Sequence, residues 1–173
     1  MASTEAEIEP EPDTVPLVSF SIGQQHHTEV PADVTSSGLS KELHDKHKPL
    51  WLSAKEGWLG GSHEDAMTYC NSIRGKELCP YSVMCPLGQG HKVLSGRKQV
   101  DFTNEGEQYA PVFGHDNRWV MIGQKDGDPS TTCMSYEMIY KTLEKPEWGL
   151  TSKRPELKSH IMCCTMNDEQ PSL

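Results

Sequence analysis

No stretch of the 173-residue chain approaches the ~20 consecutive apolar residues that a bilayer-spanning helix requires. The opening MASTEAEIEPEPD has neither the basic n-region nor the hydrophobic h-region of an export signal. Basic charge is scarce as well: 16 Lys and Arg stand against 25 Asp and Glu, a net charge of −9, and they are scattered singly. Phosphate binding needs a basic stripe, so nucleic acid is excluded as the expected partner. The chain also lacks G-x-S-x-G, a phosphate loop, H-E-x-x-H and G-x-G-x-x-G. Nothing therefore points to an enzyme, and no cofactor is expected.

What is present divides unevenly. Residues 1–45 hold nine acidic side chains and one base, Lys41, so eight of the nine net negative charges lie there. This segment is rich in Glu, Pro, Ser and Thr, and it cannot bury enough apolar surface on its own to offset its ordering entropy. We expect an acidic arm over residues 1–48, extended or disordered in isolation. Its short apolar patch, Leu17, Phe20 and Ile22, is the expected anchor for a protein partner. His26, His27, His44 and His47 match no defined ligand spacing and read as solvent-exposed.

The most informative stretch is residues 51–85, WLSAKEGWLGGSHEDAMTYCNSIRGKELCPYSVMC. Ser62 is a good helix N-cap, and Asp65 three residues later completes a capping pattern at the positive helix end. Ala66, Cys70 and Ile73 recur at i, i+4 and i+7 as a narrow apolar stripe, and Gly75 supplies a stop. Trp51 and Trp58 are expected to pack against this helix rather than stand out as a platform. Residues 76–79 read as a short strand. Residues 86–108 form a long polar connection of the kind that carries function or varies freely.

Two strands follow at residues 109–113 and 118–122, where β-branched and aromatic residues cluster between turn residues. Their link, GHDN, is a tight turn that displays Asp116, Asn117 and Trp119. The loop QKDGDPSTT offers Asp126 and Asp128 as oxygen ligands, although two aspartates beside Gly127 and Pro129 equally make an ordinary turn. Thr132 is placed to cap a second helix, CMSYEMIYKTL, on which Cys133, Tyr136 and Tyr140 share a face. HIMCC, residues 160–164, reads as the closing strand before a polar tail, 166–173.

Six cysteines, Cys70, Cys79, Cys85, Cys133, Cys163 and Cys164, suggest an oxidised framework. That reading conflicts with the missing export signal unless a leader has been removed or the chain is a piece of a larger protein. Reduced thiols with another purpose are the remaining alternative. Adjacent residues of a strand face opposite ways, so Cys163 and Cys164 should take different partners. Cys79 and Cys85 are near enough for a local bridge, leaving Cys70 and Cys133 for the closing strand. A bridge from Cys70 to that strand would close a loop of over ninety residues, for which the chain-entropy model gives about 4–5 kcal/mol. A zinc site with His160 is the competing reading, and C-x5-C with adjacent C-C fits zinc knuckles poorly.

The pieces WLSAKEGWLGGSHEDAMTYC, GKELCPYSVMCPLG, YAPV, RWVMIG, TCMSY, PEWGLT and HIMCC together resemble an uncharacterised Cys- and Trp-containing domain found mainly in diatom proteins, over residues 51–164. That resemblance implies a setting, with a plastid assembly as one candidate, and no activity. The order of a helix with A-x3-C, GKELC, NRWVMIG and a closing I-x-C strand also resembles C-type-lectin-like domains, in which the helix cysteine bridges to the last strand. The carbohydrate-selecting E-P-N or Q-P-D and the W-N-D calcium motif of that fold are missing here.

The expectation is thus an α+β domain over residues 49–165, with two helices packed on a small, mostly antiparallel sheet stapled by up to three disulfides. Its expected role is a non-catalytic binding module for a protein or glycan, with Asp116, Asn117, Trp119, Asp126 and Asp128 as candidate ligand contacts. The alternative is a structural accessory subunit of a larger, membrane-associated assembly. A secreted, cell-surface or lumenal location is expected, with the plastid as the alternative.

Overall fold

Ser62 begins a helix as its chemistry dictates. In the computed structural model, which describes residues 36–96 and 101–165, Ser62 Oγ accepts the Asp65 N–H at 3.0 Å and Asp65 Oδ2 accepts the Ser62 N–H at 2.8 Å. This reciprocal cap starts the helix His63–Ser72. Ala66 and Cys70 on its inner face are fully buried. The helix ends one turn before Gly75, whose positive φ turns the chain into the strand Lys76–Leu78.

The elements in chain order are α1 Ser36–His47, β1 Leu50–Leu52, α2 His63–Ser72, β2 Lys76–Leu78, α3 Tyr81–Met84, β3 Tyr109–Pro111, β4 Trp119–Met121, α4 Tyr136–Tyr140 and β5 Ile161–Thr165, with four short 3-10 turns between them. The strand β5 is central in an antiparallel sheet of order β1-β5-β2. Leu50 and Leu78 both lie opposite Cys163, and Glu77 lies opposite Cys164. Alternation along β5 therefore divides the interior. Ile161 and Cys163 join Leu52, Trp58, Ala66, Cys70 and Leu78 on the α2 side. Met162 and Cys164 join Trp51, Cys79, Cys85, Phe102 and Cys133 on the other.

The hairpin β3–β4 pairs Tyr109 with Met121 and Pro111 with Trp119. It is tied to the first sheet where the Phe113 N–H donates to the Cys79 carbonyl at 3.0 Å. Its outer face packs Tyr109, Trp119 and Met121 against Tyr136, Trp148 and Leu157. Both early tryptophans are buried, as packing requires: Trp51 Nε1 donates to the Leu94 carbonyl at 2.9 Å and Trp58 Nε1 to the Lys158 carbonyl at 2.8 Å.

All six cysteines are bridged, as Cys70–Cys163, Cys79–Cys164 and Cys85–Cys133. The expected long staple from Cys70 is present. The local Cys79–Cys85 bridge is not, and Cys133 does not reach the closing strand. Cys79 continues β2 with its N–H on the Met162 carbonyl, which sets it diagonally beside Cys164 on one sheet face. The one-turn helix α3 then carries Cys85 away towards Cys133.

Two helical expectations also change. Residues 36–47, assigned by composition to the arm, form α1; Leu43 packs on the core and Leu39 lines a cavity, an i, i+4 pair that supplies an apolar stripe. The second helix is short. Ser135, not Thr132, caps α4 through the Met138 N–H, while Thr132 Oγ1 is spent on the Gly123 carbonyl. Cys133 precedes the helix with a left-handed φ of 62°. The architecture is a disulfide-stapled α+β fold with four helices among the described residues, against the expected two.

Candidate functional site

The turn between β3 and β4 lies between two cavities. Asp116 lines one, of about 210 Å³, together with Ser62, His63 and Met67. Arg118 lines the other, of about 500 Å³, with Tyr81, Glu137, Met138, Leu143 and Lys145. The turn is held from beneath. Asn117 adopts a left-handed φ of 46°, accepts Trp119 Nε1–H on Oδ1 at 2.9 Å, and donates Nδ2 to the Pro146 carbonyl at 3.1 Å. A Cβ at Gly149 would sit 2.1 Å from Asn117 Oδ1, so the close approach of that segment demands glycine. Lys145 Nζ donates to the Asp116 carbonyl.

This geometry corrects part of the expected contact set. Asn117 and Trp119 are buried, and their polar groups are consumed by the turn itself. They position the turn and do not face a ligand. Asp116 remains at the surface. Asp126 and Asp128 are exposed on their own loop, apart from these cavities. Asp128 Oδ1 accepts the Ser130 N–H at 2.9 Å, and that bond holds its carboxyl below the ordinary range. Asp126 occupies the left-handed corner of the turn. The loop is the ordinary turn, and no group of three or more metal-ligating side chains occurs among the described residues. Leu17, Phe20 and Ile22 lie outside the described residues.

The larger cavity contains groups that sequence reasoning did not single out. Arg118 Nε and Glu137 Oε2 are buried atoms without a hydrogen-bond partner. No spacing rule links residues nineteen apart in the chain; the fold of α4 over the hairpin brings them to one cavity. Met138 is 50% exposed and Leu143 fully so. A third cavity, of about 280 Å³, lies where the long connection meets α1, with Leu39, Leu94, Phe102 and Thr132 in its wall. Beneath the aromatic cluster Lys158 is fully buried, its Nζ donating to the carbonyls of Trp148 and Thr151 at 2.7 and 2.6 Å. Burial lowers its ammonium to about 8.

Residues 50–166 match the family described as Domain of unknown function (DUF7495). The chain belongs to that family. No curated protein and no solved structure matches it. The DUF7495 span begins at β1 and ends one residue past β5, so it encloses all three disulfides and both cavities beside the turn. Helix α1 lies outside it. Three disulfides point to an oxidising, extracellular or lumenal environment. No helix among the described residues is long and apolar enough to cross a membrane.

Proposed function

We propose that this DUF7495 chain is a non-catalytic binding module that takes a protein segment in the cavity between the β3–β4 turn and α4. One observation carries the reading: Arg118 and Glu137 bring opposite charges to a single cavity, each with a buried polar atom unsatisfied, beside the exposed Met138 and Leu143. Both side chains are half-buried where they line the cavity, so a partner that pairs with the guanidinium and the carboxylate there makes charge-assisted hydrogen bonds, each worth about 1.5–3 kcal/mol. A segment with an acidic and a basic side chain flanking a large apolar residue has that chemistry. A glycan is less well matched, since sugar faces favour an exposed aromatic surface and Trp119 is interior.

Secretion or a lumenal address suits such a module, because the bridges persist there. The alternative, an accessory subunit held by its N-terminal arm, would be retained by partners through Leu17, Phe20 and Ile22 with the α4 cavity left open.

Selection of displayed random peptides against the oxidised domain tests the proposal. Enriched peptides should carry both charges and lose binding to Arg118→Ala and Glu137→Ala. Peptides that bind both variants as well as wild type, or no enrichment at all, would sink it.

A further inference from the structure

Of the five tyrosines, Tyr140 alone is exposed, at 39%. Its ring is the outer end of a run of aromatic contacts that reaches the core. Trp119 meets Trp148 at 5.2 Å between ring centres, Trp148 meets Tyr136 at 5.8 Å, and Tyr136 meets Tyr140 at 4.6 Å. Tyr109 lies beside this path, 5.2 Å from Trp148 and 6.1 Å from Tyr136. Every step falls within the roughly 4.5–7 Å at which aromatic rings pack. Trp119 and Tyr109 are fully buried, so the run joins a sealed interior to solvent.

The two ends carry opposite charges. At the inner end Lys158 holds its ammonium 5.6 and 5.8 Å from the Trp119 and Trp148 ring centres, which penalises a positive charge on either indole. At the outer end the hydroxyls of Tyr109, at 2.9 Å, and of Tyr140 both donate to Glu107 Oε1. An ionised carboxylate only accepts, so it is a ready destination for a phenol proton.

We propose that this run conducts an oxidising equivalent outward, from the Trp119–Trp148 pair to Tyr140, with Glu107 as the proton acceptor. A one-electron oxidant of the small-radical class, such as an azide or peroxyl radical, takes an electron from an indole and leaves a radical cation. An electron from Tyr140, relayed through Tyr136, fills that hole while the Tyr140 hydroxyl proton moves to Glu107. The products are an intact indole, a neutral Tyr140 phenoxyl radical, a protonated Glu107 and the reduced oxidant. Because the phenoxyl radical has no net charge, Lys125 Nζ, 4.1 Å from the Tyr140 ring centre, does not oppose it. The radical then stands at the surface, open to a reductant in solution, and the core indoles are restored. Neither these rings nor Glu107 line the α4 cavity, so this proposal and the binding proposal can fail separately.

Pulse radiolysis of the oxidised protein with the azide radical, which attacks indoles ahead of phenols at neutral pH, tests the route. Indolyl absorption should give way to phenoxyl absorption in a first-order phase whose rate does not depend on protein concentration. A nitroso spin trap should mark Tyr140 on peptide mapping. Glu107→Gln keeps an oxygen for both hydroxyls but removes the proton acceptor, and should slow the phase on the order of a hundredfold, the low end of what a positioned proton acceptor contributes. Trp148→Phe keeps a ring in the stack that the azide radical does not oxidise, and should abolish the phase. Transfer at the wild-type rate in either variant would overturn the proposal. So would a rate proportional to protein concentration, or a trap adduct on Tyr69 or Tyr81 in place of Tyr140.

Discussion

The bridges Cys70–Cys163 and Cys79–Cys164 invite a quantitative prediction because they share a partner strand. Taken singly, the separations of 93 and 85 residues each correspond to about 4.6 kcal/mol of loop-closure entropy at 25 °C. They are not independent, however. Cys163 and Cys164 are neighbours, and Cys70 and Cys79 are nine residues apart. While one bridge stands, the other closes a circuit of only about ten residues, worth about 2.7 kcal/mol. Replacing either pair with alanine should therefore cost about 2.7 kcal/mol, well short of the value for a ninety-residue loop. In the variant lacking both pairs Cys85–Cys133 still stands, and its separation of 48 residues shortens the circuit that the last of them closes to about 46 residues, so replacing both pairs should cost about 6.7 kcal/mol, exceeding the sum of the two single-pair losses by about 1.3 kcal/mol. Urea denaturation of the oxidised proteins measures these values, with sucrose added to all samples if the four-alanine variant lacks a folded baseline. The alanine packing loss is common to both arms and cancels in the excess. Additive losses would refute the nested-loop reasoning.

Two further outcomes follow from buried polar groups. Asn117→Ala strands Trp119 Nε1 and the Pro146 carbonyl and puts alanine at a left-handed φ, so it should cost at least about 2 kcal/mol in the same urea assay; a loss below about 0.5 kcal/mol would contradict the described turn. Lys158 has its folded value lowered by burial from 10.5 to about 8, so the unfolded chain binds its proton more tightly and the charged form opposes folding. That penalty is complete below pH 8 and is removed as pH rises towards 10.5, a change of up to about 3 kcal/mol. Wild type should gain stability relative to Lys158→Met across that window, and a gap that stays constant or moves the other way would argue against a buried ammonium.

The parts of the fold carried by local chemistry were readable in the residues. Ser62 and Asp65 cap α2 because a hydroxyl and a carboxylate three residues apart satisfy each other's backbone donors wherever they meet. The hairpin strands follow from clustered β-branched and aromatic residues around a turn, and the opposite facing of Cys163 and Cys164 follows from the two-residue period of a strand. The remaining bridges were not readable, since which cysteine meets Cys164 depends on the strand order β1-β5-β2, a tertiary fact with no local signal. Helix α1 was hidden by the acidic composition around it, although Leu39 and Leu43 bear the i, i+4 spacing that seats it. At the candidate site, Asp116 was legible as a turn residue. Trp119 was mistaken for a surface ring because an indole beside a turn has two fates, and Asn117 and Gly149 decide for burial. Arg118 and Glu137 come from separate segments, and only the folded chain reveals that their polar atoms lack partners.

The measurement that bears most directly on the binding-module account is chemical-shift mapping of the oxidised, ¹⁵N-labelled protein during titration with a selected peptide carrying one acidic and one basic side chain about a large apolar residue. The account predicts shifts gathered at Tyr81, Arg118, Glu137, Met138, Leu143 and Lys145, lost together in Arg118→Ala/Glu137→Ala while that variant keeps its fold. Shifts confined to another face, or unchanged binding by the double variant, would contradict it.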